Sequence, residues 1–151
     1  MITVRRAAPE DAPAMSAVLI ASITELCAAD HRDDPAALSS WLANKTPAGV
    51  GQWFANPVNT ILVAERAGEI AACGAFNTDR MIILNYVAPN HRFRGVSKAL
   101  LAAMEAALGP GEATLDSTLT ARPFYLAAGW EEAGQAKVYR LVDGYPMRKL
   151  L

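Results

Sequence analysis

Apolar residues change their spacing several times along the chain, and each change predicts an element. Ile2 to Ala7 is a short β-branched run and reads as a first strand. Pro9, Glu10 and Asp11 then supply the proline and acidic residues that suit a first helical turn. Ala12, Met15, Leu19, Ile23 and Leu26 recur three or four residues apart, which predicts an amphipathic helix ending near Cys27. Ala28 to Asp34 is a polar break, and Pro35 opens a second helix carrying Leu38, Trp41 and Leu42. Thr46 to Pro57, punctuated by Pro, Gly and Asn around Trp53 and Phe54, reads as a short helix or loop.

The period then shortens. Thr60 to Glu65 and Ile70 to Phe76 are strands joined by a hairpin turn at Arg66 to Glu69, and Met81 to Val87 is a fourth strand stopped by Pro89 and Asn90. Val96, Leu100, Met104 and Leu108 mark one face of a helix over Arg94 to Leu108, closed by Gly109-Pro110-Gly111. A strand over Ala113 to Leu119, a short helix over Arg122 to Ala128 and two late strands, Val138 to Val142 and Pro146 to Leu150, complete the chain. Asp143-Gly144 supplies turn chemistry between the last two. The order predicts one mixed α/β domain over residues 1–151.

Composition narrows the class. At 151 residues and 52% hydrophobic, the chain can bury a real core, which excludes intrinsic disorder. Fourteen basic against fifteen acidic residues give a net charge of −1, so there is no global field to hold nucleic acid or an anionic membrane, and any anion site must be local. Cys27 and Cys73 form no CxxC and read as two reduced thiols. The N-terminus lacks the apolar region of a signal peptide, and no apolar run approaches a membrane span. The expectation is a soluble, cytoplasmic protein.

Ile82 to Leu101 carries the most chemistry. A strand ends at Val87, a tight loop follows, and a helix begins near Gly95. A helix start exposes unpaired N–H groups and partial positive charge, and a glycine there lets backbone approach a phosphate. Arg92, Arg94 and Lys98 add positive charge in an otherwise balanced chain. The alternatives are a pyrophosphate cradle and an ordinary basic helix start. GxxxxGK[ST] is absent and only one glycine is present, so neither a Walker loop nor a dinucleotide GxGxxG applies.

Val87-Ala88-Pro89 followed by Arg92-Phe93-Arg94-Gly95-Val96-Ser97 resembles the central motif of the GNAT N-acetyltransferase superfamily, an apolar strand ending in Val-x-Pro and then Arg/Gln-x-x-Gly-x-Gly/Ala opening a helix. Ser97 stands where Gly or Ala is usual. Downstream, Ala121-Arg122-Pro123-Phe124-Tyr125-Leu126-Ala127-Ala128-Gly129-Trp130 is similar to the family's Ala-x-x-Phe-Tyr-x-x-x-Gly-Phe, with Thr120 where Asn is common. The resemblance implies a mostly antiparallel central sheet with helices on both faces, whose fourth and fifth strands splay around acetyl-CoA. It implies pantetheine pairing with backbone near Tyr86 and Val87, and pyrophosphate on backbone from Arg92 through Phe93, Arg94, Gly95 and Val96 to Ser97, beside Lys98. Thr120 would flank the pantetheine arm, and Tyr125 would protonate the departing thiolate. Neither a metal nor a second cofactor is implied.

The general base is less legible. Asn85 faces inward by alternation with Val87; it cannot be a base, but it can hold a water, polarise the carbonyl, or simply satisfy backbone at the splay. Glu25, Asp30, His31 and Asp116 are the remaining candidates. The Asp30 to Asp34 cluster reads as solvated charge and not as a metal site, and His91 reads as an exposed loop residue. The resemblance places the acceptor pocket between Leu26 to Trp53 and Tyr139 to Met147. There Trp41, Trp53 and Phe54 either line a slot or pack in the core, and Glu25, Asp30, Asp33 and Asp34 either draw a cationic amine or form ordinary surface. The expected activity is direct acetyl transfer to the primary amine of a small molecule, with a homodimer possible. Transfer to a peptide or protein amine, and a non-catalytic acyl-CoA sensor, are the rival readings.

Overall fold

The computed structural model describes residues 1–139 and 141–151. Its strands are β1 (Ile2–Arg6), β2 (Asn59–Arg66), β3 (Glu69–Asn77), β4 (Met81–Val87), β5 (Glu112–Ser117), β6 (Glu131–Glu132), β7 (Lys137–Tyr139) and β8 (Val142–Leu150). The helices are α1 (Ala12–Leu26), α2 (Ala28–His31), α3 (Pro35–Leu42), α4 (Pro47–Trp53), α5 (Val96–Leu108) and α6 (Arg122–Ala127). The strands form one sheet in the order β1-β2-β3-β4-β5-β8-β6, with β7 paired to β8. Every pairing is antiparallel except β4 with β5.

Strands β2 and β3 bury side chains on both faces, which explains their unbroken apolar runs. On one face Val63, Cys73 and Ala75 meet Met15 and Leu19 of α1. On the other, Leu62, Ala64 and Ala72 join Leu100 and Met104 of α5, together with Tyr125, Trp130 and Met147. Helix α5 lies close to β3 because residue 74 is glycine. A Cβ there would come within 2.8 Å of Met104 Sδ and 3.2 Å of Leu100 Cδ2. This contact fixes the height of α5 over the sheet, and with it the position of the loop that precedes the helix.

The turns between helices are built by short polar residues. Asp34 accepts the Ala36 N–H at 3.1 Å and Thr46 accepts the Gly49 N–H at 3.0 Å, capping α3 and α4, each with proline as its first helical residue. The expected polar break at Ala28 to Asp34 instead contains α2, and its histidine is not solvated. His31 is 1% exposed. Its Nδ1 accepts the Asp33 N–H at 3.0 Å, so the hydrogen belongs on Nε2, which donates to Ile23 O at 3.0 Å. The side chain thereby satisfies a carbonyl at the end of α1.

The end of the chain also departs from expectation. Asp143-Gly144 is not a turn, since β8 runs continuously through it. Glycine is needed at 144 for a different reason: the Tyr139 ring lies against that backbone, its Cε2 2.7 Å from where a Cβ would stand. Of the expected strand over Val138 to Val142, Arg140 lies outside the described residues. Among the described residues, no helix is long and apolar enough to cross a membrane.

Gly74→Val should lower stability by about 1–3 kcal/mol, because the branched side chain must displace Met104 and Leu100. Urea unfolding followed by circular dichroism measures this, and an unchanged midpoint would mean that α5 is free to rise.

Candidate active site

The site begins where β4 and β5 part. Their parallel register contains two pairs, Met81 with Thr114 and Ile82 with Leu115. On the other side of β4, the register with β3 passes from Leu84 opposite Ala75 to Ile82 opposite Phe76, so Ile83 has no partner. A one-residue bulge increases local twist, and here it sits at the point where the two strands diverge. The Ala88 N–H donates to Ala71 O at 2.7 Å. By antiparallel alternation, the backbone groups of Val87 and Asn85 therefore face away from β3 and into the gap.

A cleft of about 340 Å³ fills this gap. Of the residues expected to hold a cofactor, Tyr86, Val87, Arg92, Phe93, Gly95, Val96, Ser97, Lys98 and Thr120 all line it. Arg94 does not, and its side chain is exposed. Gly95 is the residue before α5 and sits at φ +80°, in the left-handed region that glycine enters freely. The first bond closing the helix is Ala99 N–H to Gly95 O at 3.0 Å. The N–H groups of Val96, Ser97 and Lys98 precede that bond and are directed out of the helix end, an arrangement suited to an anion. The donor set of this loop, with Arg92 and Lys98 exposed beside it, fits a pyrophosphate.

Tyr125 lies at the floor of the cleft. It is 5% exposed and packed edge-on between Phe124 and Trp130, with ring centroids 5.3 and 6.0 Å away. The Asn85 side-chain amide donates to its phenolic oxygen at 3.1 Å. Burial pushes the phenol up to about 12, partly offset by that hydrogen bond. Tyr125 is therefore a neutral O–H donor across the physiological range. Asn85 faces inward as its alternation with Val87 predicts.

A second cavity of about 430 Å³ adjoins the first. The two share β4 residues Ile82 to Leu84, Tyr86, and Asp116 to Thr118. Trp41, Lys45 and Tyr139 enclose the second cavity from the other side. Asp116 accepts the Tyr139 hydroxyl at 2.7 Å, a bond that holds the phenol of Tyr139 protonated. Tyr86 contributes its phenol as well as its backbone. Burial raises it strongly, and Trp41 hydrogen-bonds it.

Several expected candidates lie elsewhere. Trp53 and Phe54 pack against the α1 core, with the Lys45 ammonium 5.7 Å from the Trp53 ring. Glu25, Asp30, His31, Asp33 and Asp34 line neither cavity. His91 lines the first cleft but is buried, not exposed; Arg66 donates to its Nδ1 at 3.3 Å and Glu69 stands 3.6 Å from Nε2. Both cysteines are buried and reduced. Cys27 lines the first cleft, and burial pushes its thiol up to about 12. Among the described residues, no group of three or more His, Cys, Asp or Glu could hold a metal ion.

Asp30 has an unexpected task. Its carboxylate accepts the N–H groups of Leu119 and Thr120, at 2.6 and 3.2 Å, and the Thr120 hydroxyl at 2.6 Å. The Thr120 side chain thus ties the β5–α6 loop to α2 across the mouth of the first cleft. No local sequence signal announces this bracket, whose partners are 90 residues apart.

Comparison with known proteins agrees with this geometry. A family model described as an acetyltransferase (GNAT) domain matches residues 27–151. A search of curated proteins gives no match. A GCN5-related N-acetyltransferase from Rhodopseudomonas palustris superposes with TM-score 0.87 at 24% identity, covering 99% of this chain and 95% of that one. A PaiA N-acetyltransferase from Thermoplasma acidophilum, solved in complex with coenzyme A, gives 0.79 at 16% identity, covering 100% and 99%. A ribosomal-protein-alanine N-acetyltransferase from Brucella melitensis gives 0.71 at 23%, covering 99% of each chain. At these identities the structures show a common fold.

Asp30→Ala should cost about 1.5–3 kcal/mol, because three bonds to a carboxylate are lost at once. Thermal unfolding of the variant beside Asp79→Ala, whose side chain is exposed, tests the assignment. Equal melting temperatures would show that the bracket contributes nothing.

Proposed function

The chain belongs to the GNAT acetyltransferase family, and on that premise we propose that it transfers the acetyl group of acetyl-CoA to the primary amine of a small molecule. The observation that carries this reading is the buried Tyr125 phenol, held by Asn85 beneath the gap between β4 and β5. Acetyl-CoA is the cosubstrate, and it supplies a thioester whose carbonyl carbon is electrophilic and whose thiolate can leave.

The chain's own groups divide the remaining work. The loop from Arg92 to Ser97, with Lys98, holds the pyrophosphate. The unpaired backbone of Asn85 and Val87 orients the pantetheine arm as an added strand would, and an N–H there stabilises charge gathering on the thioester oxygen. Tyr125 Oη accepts from Asn85, so its own hydrogen is free to point into the cleft and protonate the sulfur. Asp116 serves as proton acceptor for the amine, directly or through a water. It is the one carboxylate among the described residues that lines both cavities. The partly enclosed second cavity, bounded by Trp41 and Tyr139, favours a small molecule over an extended peptide.

Tyr125→Phe should lower kcat on the order of 10²-fold and leave the Kd for acetyl-CoA within about twofold, measured by thiol release over a panel of primary amines and by calorimetry. Absence of turnover by the wild-type protein with every amine, despite saturable acetyl-CoA binding, would favour a sensor. The raised phenol also fixes the pH profile. Because Tyr125 stays protonated until pH approaches 12, kcat should rise as the amine loses its proton and show no descending limb below about pH 10. A descending limb near neutrality would remove Tyr125 as the acid.

A further inference from the structure

Phe93 departs from two ordinary rules at one position. Its side chain is 86% exposed, so the ring gains almost nothing from burial. Its backbone sits at φ +63°, and it is the only aromatic residue in that region among the described residues. Left-handed backbone is disfavoured for any residue with a Cβ, and most of all for bulky ones. An exposed ring on strained backbone offers the folded chain no evident advantage.

Its surroundings suggest what it does offer. The Arg92 guanidinium carbon lies 4.6 Å from the ring centroid and covers one face. The other face is open, on the rim of the first cleft and next to the N–H groups that precede α5. Arg92, Arg94 and Lys98 are exposed around it, so the ring stands in a cationic setting. A flat π-face backed by a guanidinium, beside an anion cradle, is the combination that holds a nucleobase attached to phosphate. In the donor molecule the unit beyond the pyrophosphate, on the side away from pantetheine, is adenosine with its purine.

Resting on the cosubstrate assigned above, we propose that the open face of Phe93 stacks on the purine of the donor. This makes Phe93 a residue that helps to select a nucleotide-bearing acyl donor over an acyl group carried on phosphopantetheine alone. The left-handed backbone serves this by turning the ring outward from the loop whose amides hold the pyrophosphate. Binding the purine covers apolar surface that the free protein leaves in water.

The test is calorimetric titration of CoA and of 4′-phosphopantetheine into the full chain and its Phe93→Leu, Phe93→Trp and Phe93→Gly variants. Stacking on one base predicts that Phe93→Leu weakens CoA roughly 5- to 100-fold while 4′-phosphopantetheine, which lacks the purine, binds as before. The variant keeps the part of the preference for CoA that its further phosphates supply. Phe93→Trp should bind CoA as wild type does. Phe93→Gly should weaken CoA in the same way and yet melt no lower than wild type, since glycine relieves the backbone. The proposal is overturned if Phe93→Leu binds CoA as wild type does, if it weakens both ligands equally, or if Phe93→Gly melts lower. Those results leave the acetyltransferase reading standing. Failure of wild-type protein to bind CoA at all would overturn that reading and this one together.

Discussion

Strand β4 keeps two register pairs with β5, and beyond Ile82 its backbone on that side pairs with no strand among the described residues. An unpaired strand edge inside a sheet is costly unless something supplies hydrogen bonds. The chain arranges its other features around that edge. The bulge at Ile83 turns the strand away, Gly74 sets the height of the helix whose first amides face the opening, and Tyr125 and Trp130 fill the floor with aromatic surface. The site is thus a defect in the sheet, stabilised on every side except the one where a strand-like ligand can enter.

Electrostatics in the site work by placement and not by amount. The chain is almost neutral, so the positive charge of Arg92 and Lys98 and the partial charge of the helix start act only over a short range. On the opposite wall, burial keeps Tyr86 and Tyr125 as neutral phenols, and Asp116 is occupied by the Tyr139 hydroxyl. One side of the opening therefore presents cationic side chains and free amides and the other neutral phenols and a carboxylate, with the unpaired backbone of β4 between them.

Much of this was legible in the sequence where the signal is local. The strand–loop–helix passage from Ile82 to Leu101 declares itself through proline, glycine and helical spacing, and period-two alternation put Asn85 on the inner side. Reasoning failed where polarity was equated with exposure. His31 is buried with both ring nitrogens satisfied by backbone groups, and His91 is buried with Arg66 on its Nδ1, although its Nε2 has no hydrogen-bond partner. It failed again at Gly144, where a turn dipeptide in fact accommodates the ring of Tyr139. Asp116 with Tyr139, and Asp30 with Thr120, are 23 and 90 residues apart. Pairs like these depend on the assembled fold, and no spacing rule along the chain encodes them.

The Asp30 bracket has a consequence for anyone rebuilding the molecule. Helices α2 and α3 look like an exchangeable insert, because α3 contributes Trp41 to the second cavity while β4 and the end of β5 form another wall. Yet the insert is keyed to its host through His31, which donates to Ile23 O at the end of α1, and through the Asp30 carboxylate, which accepts two backbone N–H groups and the Thr120 hydroxyl. A graft of this segment from a relative would have to bring an acceptor at position 30 and meet a donor at position 120. Without that match, the transplanted segment would lose its tie to the β5–α6 loop beside the cleft.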